Sequence, residues 1–204
     1  MKTLVLIDVQ NDFMPGGALA VPNGDEIVPL VNKLQKKFDL VIATQDWHPP
    51  KHASFASSHE GKEEFEVIKL DGLDQVLWPD HCIQNTEGSQ FHPDLETAKI
   101  EAIFRKGTDK KIDSYSGFYD NAHLKSTGLS GYLKEKNARE LYFVGLAADF
   151  CVYYSVIDAL EEGFSVTLIE DATMALNSDE FEKARIDILR KGGKVINSEN
   201  ISFN

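Results

Sequence analysis

Cysteine is scarce in this sequence: Cys82 and Cys151 are the only two in 204 residues. Two thiols cannot staple a small secreted scaffold, which excludes a disulfide framework, and a Cys82–Cys151 bridge is not expected in a reducing compartment. Neither cysteine lies in the Cys-x-x-Cys pattern of a thiol redox protein. Long apolar runs are also missing, and nothing approaches the roughly 20 residues of a membrane span. The run Leu4 to Ile7 is broken at once by Asp8 with no small-residue cleavage site after it, so it reads as a first strand and not as a signal peptide. Positive charge is in short supply too. Lys and Arg number 21 against 33 Asp and Glu, for a net charge of −12. That balance excludes a basic face for nucleic acid and disfavours docking on an anionic membrane. There are no internal repeats, low-complexity tracts or like-charge blocks. These absences point to a cytoplasmic protein and leave monomer and homo-oligomer equally open.

What is present suits one α/β domain across residues 1–204, with 42% apolar residues to build its core. Short apolar runs end abruptly in polar residues: Leu4 to Ile7 at Asp8, Leu40 to Ala43 at Asp46, Ala102 to Phe104 at Lys106, Leu141 to Val144 at Gly145, and Val166 to Ile169 at Asp171. Lys194-Val195-Ile196 is a weaker sixth. Runs without alternation are expected of strands covered on both faces. Helical patterns fall between most of them, over 25–38, 129–136, 151–162 and 179–191, the third stopped by Gly163 and the fourth by Gly192-Gly193. The alternation predicts a mostly parallel six-stranded sheet with helices on both faces, a three-layer α/β/α fold. The stretch from His48 to Pro93 breaks this rhythm. It holds five of the six histidines and four prolines, and reads as a long functional loop.

Ligands of open α/β sheets bind outside the carboxyl ends of the strands. Those ends carry Asp8, Asp46 with His48, Lys106, and the turn leading to Cys151. Cys151 opens a helix, where the positive end of the helix dipole favours thiolate, though a free cysteine is as often a small buried hydrophobe. Asp8 either caps a turn or serves as a general base beside the thiol. Lys106 is either a solvated charge or the cation that holds Asp8 ionised and favours thiolate. Asp46-x-His48 places two ligands on one side of an extended chain, and His81 in Trp78-Pro79-Asp80-His81-Cys82 is the best third, with His52 as a further ligand in reserve. Such a set suits Zn²⁺, Fe²⁺ or Mn²⁺. Phe13, Trp47, Trp78 and Tyr115 stand beside these clusters, either as core filling or as walls of a slot for a flat ring.

Six pieces in order carry a resemblance: Leu6-Ile7-Asp8-Val9-Gln10-Asn11-Asp12-Phe13, Thr44-Gln45-Asp46-Trp47-His48-Pro49, Trp78-Pro79-Asp80-His81-Cys82, Arg105-Lys106-Gly107, Tyr115-Ser116-Gly117-Phe118, and Val144-Gly145-Leu146-Ala147-Ala148-Asp149-Phe150-Cys151-Val152. The whole chain resembles the nicotinamidase/pyrazinamidase group of isochorismatase-like cysteine hydrolases. The resemblance implies a triad of Asp8, Lys106 and Cys151, and one divalent metal on Asp46, His48 and His81, Zn²⁺ above all, with waters or His52 completing its shell. It further implies a metal- and substrate-binding loop region over about 46–93, an aromatic slot of Phe13, Trp78 and Tyr115, and a cis Leu146–Ala147 bond. The backbone N–H groups of Ala147 and Cys151 would then form an oxyanion hole. The implied substrate is nicotinamide, hydrolysed through a thioester on Cys151. Relatives often carry threonine where this chain has Ala148. Another small-amide hydrolase of the same family is the nearest alternative; a non-catalytic metal- or ligand-binding protein and a thiol redox protein are the readings of other classes.

Overall fold

The computed structural model describes residues 1–201. In chain order the elements are β1 (Lys2–Ile7), α1 (Val28–Gln35), β2 (Leu40–Asp46), β3 (Val67–Leu70), β4 (Leu73–Val76), β5 (Ile100–Lys106), α2 (Leu129–Glu135), β6 (Glu140–Leu146), α3 (Tyr153–Glu161), β7 (Ser165–Met174), α4 (Ser178–Arg190) and β8 (Lys194–Ile196). Strand β1 shows why the apolar runs do not alternate. Leu4 and Leu6 point into one core and Val5 and Ile7 into the other, because successive side chains of a strand face opposite ways and both faces are covered. Strand β2 repeats the division, with Val41 and Ala43 on one side and Leu40 and Ile42 on the other. Helix α1 packs Val28, Val31 and Leu34 into the first core, while Leu129 and Leu133 of α2, Val156 and Ala159 of α3 and Ile188 of α4 fill the second. The result is the expected three-layer α/β/α arrangement.

The six-stranded sheet runs β5-β2-β1-β6-β7-β8, and every neighbouring pair in it is parallel. The order reverses direction at β1, which makes the crevice beside it the natural ligand site. Register fixes what stands there. Ile7 pairs with Gly145, and Asp46 pairs with Lys106, so Asp8, Asp46, Lys106 and the turn after Leu146 share one end of the sheet. Gly145 is required by this pairing, since a Cβ there would lie 2.0 Å from the Ile7 carbonyl oxygen. No helix of the described residues is long and apolar enough to cross a membrane.

Four details differ from the sequence reading. The pattern over 25–38 becomes a 3₁₀ turn, Gly24–Ile27, followed by α1, whose first turn takes Pro29 because proline lacks the N–H that an interior position would need. Cys151 lies inside a π-helical turn, Ala148–Val152, that leads into α3, and does not open the α-helix itself. Strand β7 runs on to Met174: Leu168 pairs with Phe143 and Thr173 with Gly145, so Glu170 and Asp171 bulge out and the strand resumes after them. Finally, the long loop contains the hairpin β3–β4, whose turn residues Asp71 and Gly72 both have positive φ, 48° and 89°.

Glu162, at the end of α3, ties the second layer together. It accepts hydrogen bonds from Tyr119, from Ser130 Oγ at 2.7 Å and from Lys134, and these partners push its carboxyl down from 4.5 to about 2. A depressed carboxyl stabilises the fold above its unfolded pKa and loses that contribution as pH falls toward the folded one. Glu162→Gln is therefore expected to cost about 1–2 kcal/mol at pH 7. In urea unfolding the gap to the parent protein should close as the pH is taken from 4.5 down through about 2; equal stability at pH 7 would show that the cluster contributes nothing.

Candidate active site

Asp8 follows β1 with a left-handed backbone, φ 47°, and is completely buried. Thr44 Oγ1 donates to its Oδ1 at 2.6 Å and accepts the Asp8 N–H at 3.2 Å. Its Oδ2 faces the Lys106 ammonium at 3.0 Å. Lys106, equally buried at the end of β5, donates to the Ser114 carbonyl at 2.9 Å and to Cys151 Sγ at 3.4 Å, and lies 3.1 Å from Asp46 Oδ1. Cys151 in turn hydrogen-bonds through its side chain to Asp8. One carboxylate, one ammonium and one thiol from three distant strand ends are thus in mutual contact.

Their protonation follows from the same geometry. Burial alone would lower Lys106, but the carboxylates of Asp46 and Asp8 outweigh it and hold the ammonium well above its ordinary range. Burial raises Asp8, and Lys106 offsets this only in part because Asp46 adds a second negative charge. Burial likewise pushes the Cys151 thiol well up; Lys106 opposes, while Asp8 and Asp46 reinforce the rise. The expectation that helix dipole and lysine would favour thiolate is therefore corrected. Cys151 rests as a thiol, hydrogen-bonded to a carboxylate of raised basicity that is positioned to take its proton.

Asp46, His48 and His81 are all buried, and one ligand atom from each lies within 4.8 Å of the others. His48 Nδ1 faces the Gly107 carbonyl at 3.1 Å and His81 Nδ1 the Pro79 carbonyl at 2.8 Å. A carbonyl oxygen only accepts, so both rings carry their proton on Nδ1 and present Nε2 electron pairs to Asp46 Oδ2, at 3.0 and 3.2 Å. Three such donor atoms grouped together fit a divalent metal held between them. Burial would lower His48, but the Asp46 carboxylate beside it raises it. Gly107 keeps the space open: its φ is +63°, and a Cβ there would meet His48 Cε1 at 2.5 Å and Asp46 Oδ1 at 2.9 Å. His52 is not in this group. Its Nε2 donates to the Asp109 carbonyl at 2.7 Å and its Nδ1 accepts the Ser54 N–H at 3.1 Å, so neither ring nitrogen has an electron pair to spare.

A small cavity joins the two clusters, and Phe13, Trp78, Tyr115, Asp46, His81 and Cys151 are among its walls. Trp78 stands edge-on to Phe150 at 4.9 Å and to Tyr115 at 6.1 Å, and Phe13 stands edge-on to His81 at 5.6 Å. Trp47 is not among the lining residues. Ala147 is, and its bond to Leu146 is cis. Cys82 is buried and free, its thiol pushed well up by burial and by Asp46, and its N–H donates to Asp12 Oδ2 at 2.7 Å. Sequence reasoning missed Thr44, Phe150, Gln75 and Asp113. Thr44 was within reach, since a residue two before Asp46 on one strand shares its face; Asp113 lies in an irregular segment that no periodicity marks.

A model described as the isochorismatase domain matches residues 2–200. A nicotinamidase of Acinetobacter baylyi is 45% identical over 199 residues, covering 97% of this chain and 93% of its own. Among solved structures, the nicotinamidase/pyrazinamidase of Acinetobacter baumanii is similar at a TM-score of 0.95 and 46% identity, over 98% of this chain and 97% of that one. The pyrazinamidase of Pyrococcus horikoshii, solved in complex with zinc, is similar at a TM-score of 0.80 and 35% identity, over 96% of this chain and 98% of that one.

Proposed function

The chain belongs to the isochorismatase family, and from that premise we propose that it hydrolyses nicotinamide to nicotinate and ammonia, and pyrazinamide likewise, with Cys151 as nucleophile. The observation that carries this reading is the contact of Cys151 with both Asp8 and Lys106 in the wall of a cavity that also reaches Asp46 and His81. The substrate class and the zinc agree with the named relatives. The cytoplasm is the compartment proposed, in keeping with two free buried thiols.

Asp46, His48 and His81 would hold one divalent ion, with His52 outside the set because both its ring nitrogens are engaged elsewhere. When bound, that ion supplies a Lewis-acidic site that fixes a ring nitrogen. The chain's own residues do the rest. Phe13, Trp78 and Tyr115 take the flat ring and bring the carboxamide carbon to Cys151. Asp8 accepts the thiol proton as sulfur bonds to that carbon, and the carbonyl electron pair moves onto oxygen. The N–H groups of Ala147 and Cys151 stabilise this oxyanion. Asp8 returns the proton to nitrogen as the C–N bond breaks, so ammonia leaves and a thioester remains. Asp8 then takes a proton from water, whose oxygen adds to the thioester carbon. The C–S bond breaks, nicotinate departs, and the proton passes back to the thiolate. Lys106 stays charged throughout and balances whichever of Asp8 and the sulfur is negative.

Ammonia release tests this reading. Nicotinamide and pyrazinamide are expected to turn over and aliphatic amides to be poor substrates; equal rates across the panel would reduce the assignment to a generic amidase. His48→Ala should leave metal well below one ion per chain and raise KM by more than about tenfold, measured by elemental analysis and kinetics on the same sample. Retention of metal and KM would remove His48 from the ligand set.

A further inference from the structure

A third buried carboxylate reaches the same cavity. Asp113 lies between β5 and α2, is 3% exposed, and lines the wall with Asp46, His81 and Cys151. Its two oxygens are held separately. Oδ2 accepts from Gln75 Nε2 at 3.1 Å, an amide carried in by the hairpin strand β4 and itself 4% exposed. Oδ1 accepts the Ser114 N–H at 2.7 Å and stands 3.9 Å from His48 Nε2. That gap is too long for a hydrogen bond and too short to be indifferent to a charge on the other side. Ligand atoms of His48, His52 and Asp113 fall within 4.8 Å of one another, but His52 has both nitrogens committed elsewhere, which leaves the carboxylate alone facing His48.

Charge balance points the same way. Asp8, Asp46 and Asp113 are buried together, and the Lys106 ammonium lies within 3.1 Å of the first two. Ionised, the four groups sum to two negative charges in a low-dielectric pocket, a deficit that a divalent ion removes. Gln75 Nε2 also lies 2.8 Å from the Val76 carbonyl and 3.1 Å from Tyr115 Oη, so its two hydrogens are shared among three acceptors, Asp113 and a ring of the slot among them.

We propose that Asp113 is a fourth residue of the metal centre, acting on the ion from beyond its three direct ligands, and that Gln75 is the positioning residue that aims it. This rests on the metal reading given above. Outer residues of this kind typically change metal affinity about 10- to 100-fold when altered.

The test is zinc affinity, measured by competition with a chromogenic chelator on the full chain stripped of metal and reloaded. Asp113→Asn removes the charge with little change of shape and is expected to weaken zinc binding by about 10- to 100-fold. Gln75→Ala is expected to weaken it by less, and the double variant to be no worse than Asp113→Asn alone, because Gln75 acts through Asp113. In the Co²⁺-loaded protein, Asp113→Asn should keep the visible bands of the parent coordination geometry. A change of geometry would make Asp113 a direct ligand and overturn the outer placement. Zinc affinity within about twofold of the parent protein in Asp113→Asn overturns the proposal. If that variant does not fold, unchanged affinity in Gln75→Ala overturns it instead. Failure of the parent protein itself to bind zinc would sink the metal reading, a separate outcome.

Discussion

Cys151→Ala is expected to reduce ammonia release from nicotinamide by at least about 10⁴-fold while leaving one metal ion bound per chain. The magnitude is that of losing a covalent nucleophile, where the residual rate comes from binding and oxyanion stabilisation alone. Metal should be unaffected because the ligand atoms of Asp46, His48 and His81 are fixed by Gly107, Pro79 and Lys106 and not by the thiol. The substitution is also mild for the fold, replacing a small buried side chain by one slightly smaller. Serine at the same position keeps a hydrogen-bond donor to Asp8 but is far harder to ionise, so it should be nearly as inactive. Both variants are read by ammonia release, elemental analysis and urea unfolding. Survival of more than a few per cent of the activity in Cys151→Ala would move the nucleophile from the thiol to a hydroxide.

Asp8→Asn separates the two jobs the site asks of a carboxylate. Asparagine cannot accept the thiol proton or return it to the leaving nitrogen, so turnover should fall by roughly 10²–10⁴-fold. The thiol itself should become easier to ionise. Asp8 is one of the two carboxylates that raise Cys151, and its removal leaves Lys106 free to favour thiolate. Alkylation of Cys151 by iodoacetamide at fixed pH is therefore expected to accelerate in the variant whose catalysis has collapsed. If alkylation slows instead, Asp8 serves to hold the thiolate, and the proton-transfer role assigned to it is wrong.

These two experiments turn on a feature that the sequence did not show. The strand ends bearing Asp8, Asp46 and Lys106, and the turn leading to Cys151, were legible because short apolar runs mark the strands, and the polar residues that follow three of these runs are delivered to the crevice. The candidate ligands His48 and His81 were legible from Asp46-x-His48 and from the concentration of histidines in one stretch. What was not legible depends on distance. Lys106 argued for thiolate until the structure placed Asp46 3.1 Å from it and so divided its charge. The hairpin β3–β4 was hidden because its strands are half-exposed, and Val67 and Leu73 present apolar side chains outward. Asp71-Gly72 was nevertheless a usable turn signal. Gln75, buried within that hairpin, escaped with it.

The place of β1 in the sheet has a consequence for how the enzyme is made. Its neighbour β2 follows closely along the chain, but its other neighbour, β6, pairs Lys2 with Glu140. During synthesis the first of these pairings is available early, whereas the second must wait until residues beyond 146 have left the ribosome. Until then Cys151 is an ordinary thiol far from any base, and Asp8 an ordinary carboxylate. The most distant strand pairing of the sheet is thus also the event that brings Cys151 to Asp8 and Lys106, so the base and the thiol meet only once the chain is nearly whole.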